Sequence, residues 1–217
     1  MHIHYISESN SILNHFLTQI RDVNIQKDSM RFRKNIERIG EIMAYELSKT
    51  LQYKSIDVQT PLGIKNTTTI ADNVVLCSIL RAGLAMHTGF MNFFDDAENG
   101  FVSAYRHHPN KDDYFEILVE YQAAPSFEGK NLILIDPMLA TGQSVVAVFN
   151  KLIIEQTPKE IHIAVVIATP EGIAFLEDNL PKNCHLWVAA LDEKLNKKNY
   201  IIPGLGDAGD LAYGNKL

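Results

Sequence analysis

Residues 132–144 read Leu132-Ile-Leu-Ile-Asp136-Pro-Met-Leu-Ala-Thr141-Gly142-Gln-Ser144, and the helix-like run Val-Val-Ala-Val-Phe149 follows at once. An apolar strand ending in a carboxylate, then a tight turn opening a helix, is the strand-to-helix junction of an α/β fold. In open α/β sheets ligands bind at the carboxyl ends of the strands, so chemistry is expected at this junction. Unpaired N–H groups at a helix start, joined by the Thr141 and Ser144 hydroxyls, make a phosphate cradle. A carboxylate at the strand end repels phosphate but accepts hydrogen bonds from sugar hydroxyls. Together the two features point to a ribose phosphate. No Gly-x-x-x-x-Gly-Lys-Ser/Thr pattern is present, which excludes a Walker loop. Read alone, the loop also fits Thr141 and Ser144 acting only as helix caps.

The flanking sequence has the same character. Short apolar runs occur at 74–80, 101–105, 115–121, 132–135, 161–168 and 186–190, with helix-like stretches at 84–94, 144–154 and 171–179. Strands that are apolar throughout, alternating with helices, predict a buried, mostly parallel sheet. A second junction reads Leu76-Cys-Ser-Ile-Leu80-Arg81-Ala82-Gly83. It puts an arginine at a strand end beside small residues that let a ligand approach the backbone. The alternative for Arg81 is a charged residue that merely ends a strand. The polar segment 107–114, His-His-Pro-Asn-Lys-Asp-Asp-Tyr, is expected to join two antiparallel strands as a flap.

Upstream, apolar residues recur at helical spacing in two stripes, Ile12, Leu13, Phe16, Leu17 and Ile20, then Ile36, Ile39, Ile42, Met43 and Leu47. Two helices are predicted there, followed by an extended segment at 55–59 and a turn at Pro61-Leu-Gly63. No repeat or divisive linker is visible, so residues 1–217 read as a single domain with a helical lead-in over about 8–53.

Charge limits the partners. The chain carries 26 acidic residues against 20 Lys plus Arg, a net charge of −6, which argues against a nucleic-acid-binding face. Of six arginines, four (Arg21, Arg31, Arg33, Arg38) lie near the N-terminus, leaving Arg81 and Arg106 for an anion site in the main body. Neither a signal peptide nor an apolar run of the ~20 residues that span a membrane is seen, so a cytoplasmic protein is expected. Cys77 and Cys184 sit in apolar company and read as buried free thiols. His107-His108 reads as a solvated turn, and His2, His4, His15, His87, His162 and His185 show no spacing that marks a site.

Near the C-terminus, Gly204-Leu-Gly206-Asp-Ala-Gly209 matches the dinucleotide fingerprint, but only eight residues follow it. No strand–helix–strand unit fits in that length, so the dinucleotide reading fails. What remains is a glycine-rich loop, Tyr200-Ile-Ile-Pro-Gly-Leu-Gly-Asp-Ala-Gly-Asp210, whose exposed backbone can hydrogen-bond a flat heterocycle.

Taken together, these segments resemble the uracil phosphoribosyltransferases, which are type I phosphoribosyltransferases. The match is carried by Ile79-Leu-Arg-Ala-Gly-Leu84, Tyr105-Arg106, Asp136-Pro-Met-Leu-Ala-Thr-Gly142 with Ser144, and the loop 200–210, with Arg31-Phe-Arg33 and Pro170-Glu-Gly172 in support. The resemblance implies an α/β fold with a mostly parallel central sheet flanked by helices, an antiparallel hairpin flap and a C-terminal base-binding hood. It implies transfer from 5-phosphoribosyl-1-pyrophosphate (PRPP) to uracil, giving UMP and pyrophosphate in pyrimidine salvage. PRPP binding would fall to Arg81, Arg106, Asp136, Pro137, Met138, Leu139, Ala140, Thr141, Gly142, Gln143, Ser144 and Asp207, with Arg106 and Asp207 catalytic. Ile201, Gly206, Asp207 and Ala208 would read uracil. Mg²⁺ would be carried mainly by the substrate instead of a protein cage.

One residue departs from the family pattern. Gln143 stands where a glycine is usual, which is compatible only with an ordinary backbone conformation and a side chain pointing away from phosphate. The alternatives are a transferase for another base, or a non-catalytic ligand-sensing homologue. A homodimer or homotetramer is expected, with the N-terminal helices at its interface. Family members differ in GTP activation and UMP inhibition. The roles of Arg31 and Arg33 stay open between subunit contacts and an effector site.

Overall fold

The computed structural model describes residues 1–107, 116–154 and 156–216, with the backbone alone at 106, 107 and 116. A short strand β1 (His2–Tyr5) and a 3₁₀ turn (Ile6–Glu8) precede helices α1 (Ile12–Arg21) and α2 (Ser29–Ser48). Ser11 caps α1 reciprocally with Asn14, and Asp28 caps α2 by accepting from Arg31 N at 3.1 Å. Of the predicted stripes, Leu13, Leu17, Ile20, Ile36, Ile39, Met43 and Leu47 are buried, Phe16 and Ile42 are half-buried, and Ile12, at the first helical position, is exposed.

A hairpin of β2 (Tyr53–Thr60) and β3 (Gly63–Ile70) follows, turning at the expected Pro61-Leu-Gly63. It forms a separate two-stranded sheet. Its second strand, unlike the first, was not expected, because Lys65-Asn-Thr-Thr-Thr69 has no apolar face to read.

The main sheet comprises β4 (Val74–Leu80), β5 (Glu98–His107), β6 (Glu116–Ala123), β7 (Asn131–Ile135), β8 (Met138–Leu139), β9 (Glu160–Ala168) and β10 (Cys184–Leu191) together with β1. Helices α3 (Gly83–Met91), α4 (Gln143–Leu152) and α5 (Pro170–Asn179) lie between the strands in sequence. Spatial order is β1-β10-β9-β7-β4-β5-β6, with β8 beside β9. All neighbours are parallel except β5 and β6, whose antiparallel pairing agrees with the expected flap strands. The joining turn 108–115 lies outside the described residues.

The central strands β4, β7 and β9 are largely apolar because both faces are covered. Ile133, Ile135, Ala164, Val166 and Trp187 face a core shared with α1, α2 and α3. Leu132, Leu134, Ile163, Val165 and Leu186 face a second core closed by α4 and α5. Cys77 and Cys184 are free and buried in that second core, as expected, and burial pushes their thiols up to about 12 and about 11.

The chain ends in a small superstructure over the carboxyl ends of the strands. It consists of the hairpin β11 (Lys194–Leu195) and β12 (Ile201–Ile202), the glycine loop, and α6 (Ala208–Tyr213). Among the described residues no helix is long and apolar enough to cross a membrane.

Candidate active site

Three chain segments meet in a cleft of about 510 Å³ at the carboxyl ends of β4 and β7. Strand β4 delivers Arg81 after a cis Leu80–Arg81 peptide. Arg81 Nη2 donates to Asp210 Oδ1 at 2.9 Å and to the Gly214 carbonyl at 3.2 Å, while Nε is buried without a partner. The guanidinium is thus held along one edge by the C-terminal segment.

Strand β7 delivers Asp136. The carboxyl keeps some surface toward the cleft, but protein atoms crowd it on all other sides. That desolvation, helped by the nearby Asp207 charge and opposed by a bond from Met138 N at 3.3 Å, pushes Asp136 up to about 7.

The loop between β7 and α4 is fastened to β9 and α5 by its backbone. The Pro137 carbonyl accepts from Val166 N and Ile167 N, both at 3.0 Å, and the Leu139 carbonyl accepts from Thr169 N at 3.1 Å. Thr169 Oγ1 donates to the Ala140 carbonyl at 2.8 Å and accepts from Gly172 N at 3.0 Å. A Cβ on Gly172 would lie 2.4 Å from the Ala140 carbonyl oxygen, so only glycine lets α5 come this close. Gly172→Ala is therefore expected to push the loop outward and cost about 1–3 kcal/mol. Thermal denaturation should record a midpoint lower by at least ~2 °C. An unchanged midpoint would show that the helix yields freely.

Gly142 caps α4 at φ +79°, a left-handed conformation that the loop needs to turn into the helix. Gln143 is already helical and exposed, and it does not line the cleft, so the anticipated compatibility holds. Thr141, Gly142 and Ser144 all line the cleft at the open helix start.

The hood is held from the far end of the sequence. The Asp192 carboxylate accepts from Arg21 Nη2 at 2.7 Å, from Arg21 Nη1 at 3.0 Å and from Gly204 N at 3.1 Å. Arg21 Nη1 also donates to the Gly204 carbonyl at 2.9 Å, and Gln26 Nε2 donates to the Leu205 carbonyl at 3.1 Å. Arg33 Nη1 donates to the Ala212 carbonyl at 2.6 Å, which ties α2 to α6 within the chain, while Arg31 approaches only Asp28, at 3.8 Å. Asp207 caps α6 by accepting from Asp210 N at 2.9 Å.

Of the residues expected at the site, Arg81, Asp136, Met138, Ala140, Thr141, Gly142, Ser144, Ile201, Gly206, Asp207 and Ala208 line this one cleft. Pro137, Leu139 and Gln143 do not. The first two are buried anchors of the loop, and the third faces away. Arg106 lies on β5 next to the cleft-lining Tyr105, but its side chain is outside the described residues. Sequence reasoning missed Asn199 and Lys216, which also line the cleft, and the Arg21–Asp192 clamp. Asn199 sits at φ 60° in the β11–β12 turn, where asparagine tolerates the left-handed region. The polar run Asn-Lys-Lys-Asn199 was the available signal. Lys216 had none, being a lone lysine near the chain end.

Comparisons with known proteins agree with this geometry. Residues 7–215 match the family model described as uracil phosphoribosyltransferase. A uracil phosphoribosyltransferase of Porphyromonas gingivalis is 48% identical over 217 residues, covering 100% of both chains. One from Thermococcus gammatolerans is 38% identical, over 98% of this chain and 94% of that one. Among solved structures, the AQ2163 protein from Aquifex aeolicus matches with a TM-score of 0.87 at 30% identity, covering 98% of each chain.

Proposed function

The chain belongs to the uracil phosphoribosyltransferase family, and from that premise we propose how its cleft divides the work of the reaction. The reaction transfers phosphoribose from PRPP to uracil, releasing pyrophosphate and yielding UMP. The observation that carries the assignment of roles is the convergence of Arg81, Asp136, the α4 N-terminus and the glycine-rich hood on one cleft.

Asp136 accepts hydrogen bonds from the ribose hydroxyls. The loop Pro137–Ser144 offers backbone N–H groups and the Thr141 and Ser144 hydroxyls to the 5′-phosphate, supported by the positive end of α4. Arg81, which lines the cleft, binds the pyrophosphate with Arg106. Backbone groups of Ile201, Gly206 and Ala208 read the uracil edge, and Asp207 stands beside the departing pyrophosphate. As that group leaves, C1 of the ribose gains positive character. The protein's task is then to hold uracil N1 in line and to meet the leaving charge with fixed cations.

Mg²⁺ fits this site as an ion that arrives on the substrate. Asp136 and Asp207 are close enough for their charges to interact, and among the described residues no cluster of three or more His, Cys, Asp or Glu side chains is shaped to cage a metal. When bound, the ion neutralises pyrophosphate oxygens.

Lys216 adds a cation beside Arg81, since the Gly214 carbonyl two residues earlier is tied to that guanidinium. Lys216→Gln is expected to raise KM for PRPP about 3- to 10-fold, with KM for uracil unchanged, as befits one partly screened charge pair. Equal KM values in the two proteins would remove Lys216 from the site.

The assay for the function as a whole is UMP formation from uracil and PRPP with Mg²⁺, run beside a panel of other bases. Product only with another base would reassign the specificity, and no product with any base would favour a ligand-sensing role.

Residues 1–217 act as one domain, a reading supported by the single main sheet whose two faces carry both cores, and the two buried free thiols support a cytoplasmic location. A homodimer or homotetramer is supported by the β2–β3 hairpin, which exposes Val58, Leu62 and Ile64 and, among the described residues, pairs with no other strand. Size-exclusion chromatography with and without GTP reads both the assembly and its response to that effector.

A further inference from the structure

Behind the Arg81 turn, Ser78, His87 and Asn99 form a continuous hydrogen-bonded chain. Ser78 Oγ lies 2.6 Å from His87 Nδ1, and His87 Nε2 lies 2.8 Å from Asn99 Oδ1. Asn99 Nδ2 donates to the Ala97 carbonyl at 2.9 Å, so Asn99 Oδ1 is the acceptor and His87 donates from Nε2. His87 Nδ1 is then free to accept, and Ser78 donates to it. Burial also holds His87 below the usual histidine range, which favours the neutral ring this direction requires.

The order Ser–His–amide resembles the relay of an acyl-transfer enzyme, but the serine has no route to a substrate. Ser78 and His87 are both fully buried, and Ser78 is not among the residues lining the cleft. Nucleophilic chemistry needs a reachable oxygen next to its base. The chain therefore has a different use.

Well-packed apolar residues would stabilise such a position at least as well as buried polar groups. What the polar chain adds is direction, because each bond fixes the angle between the elements it joins. Ser78 lies on β4 three residues before Arg81. His87 lies on α3 four residues after Gly83, and Asn99 lies on the neighbouring strand β5. The turn 79–83 is thereby tied on both flanks to a third element. Within the turn, Leu84 N donates to the Arg81 carbonyl at 3.2 Å, so rotation of the α3 start moves Arg81 directly.

We propose that His87 is a positioning residue for PRPP, locking the start of α3 to β4 and β5 so that Arg81 and the backbone of residues 79–83 meet the pyrophosphate in a fixed geometry. The inference rests on the reading of this cleft as the PRPP site. It concerns binding of one substrate, since the bonds of Ser78, His87 and Asn99 join β4, α3 and β5 and do not reach the loop 200–207 read as meeting uracil.

The test compares His87→Leu, which removes both bonds at similar volume, His87→Gln, which keeps a donor and an acceptor, and Asn99→Ala at the outer end of the chain. KM for PRPP and for uracil are measured separately, with PRPP affinity by calorimetry and the thermal midpoint of each variant. His87→Leu should weaken PRPP binding on the order of 10-fold and leave KM for uracil within about twofold, with part of the loss restored in His87→Gln. Asn99→Ala should shift in the same sense and carries the test if His87→Leu does not fold. Unchanged PRPP affinity in folded variants, or equal rises in both KM values, would overturn the proposal. Wild-type protein that binds PRPP without forming UMP would refute the transferase reading while calorimetry still judges His87; wild-type protein that binds no PRPP would overturn both.

Discussion

Asp136→Asn is expected to lower kcat/KM for PRPP by about 100-fold or more while leaving KM for uracil nearly unchanged. Two charge-assisted bonds to ribose hydroxyls at about 1.5–3 kcal/mol each account for a loss of this size. The amide keeps the acceptor for Met138 N, so the loop should retain its shape. The same carboxyl makes binding depend on pH. Its value of about 7 in the folded protein stands above the ordinary 3.8, mainly because burial disfavours the charge. The ribose role proposed for Asp136 uses the ionised form, so PRPP affinity should fall as pH drops below about 7, and Asp136→Asn should lack that limb.

Stability runs the other way. A group whose pKa is raised by folding contributes stability that is complete below the unfolded value and is lost as pH rises through the folded one. For Asp136 that window runs from near 4 to about 7. Asp136→Asn should therefore melt above the wild type at pH 8 and converge with it near pH 4. Coincident melting curves at pH 8, or an intact acid limb in PRPP binding, would remove Asp136 from this role. On the ribose role proposed for Asp136, the site would give up stability for a carboxylate held at the strand end.

Asp192→Ala should have the second large effect, on stability and on the base. The substitution leaves the Arg21 guanidinium half-buried with one carbonyl partner and strands the buried Gly204 N–H. Breaking one side of such a pair costs about 3–5 kcal/mol, or a midpoint lower by roughly 10 °C in a chain of this size. Because Gly204 opens the loop that carries Gly206 and Ala208, KM for uracil should rise on the order of 10-fold, with KM for PRPP less affected. The milder Asp192→Asn keeps one acceptor and should recover part of both losses. Melting and uracil curves that superpose on those of the wild type would mean that the hood holds its shape without the clamp.

What the sequence disclosed follows from how local each signal is. The central strands were legible because a strand covered on both faces is apolar at every position, as at Leu132–Ile135. The phosphate loop was legible because its strand end, glycine and helix start lie within thirteen residues. The hood showed itself by its glycines. By contrast, Arg21 and Asp192 are 171 positions apart, and no local pattern relates them. Strand β1 was missed for a similar reason. His-Ile-His-Tyr becomes a strand only by pairing with β10, in the register His2↔His185 to Tyr5↔Val188. His87 was passed over as a histidine without helical partners, since its partners come from two different strands. The acidic balance disfavoured nucleic acid, yet the substrate is itself highly anionic. In the roles proposed for Arg81, Arg106 and the start of α4, local cations and one helix end supply at the cleft what net charge does not.

The pairing of β1 with β10 also sets an order on the molecule's making. Strand β1 has no partner until residues near 188 have been synthesised, and Arg21 must wait for Asp192. Contacts between chain segments so far apart in sequence close late and slowly. The glycine-rich loop is thus fixed only after Asp192 has been made, and a chain cut short before β10 would leave β1 unpaired and exposed to aggregation.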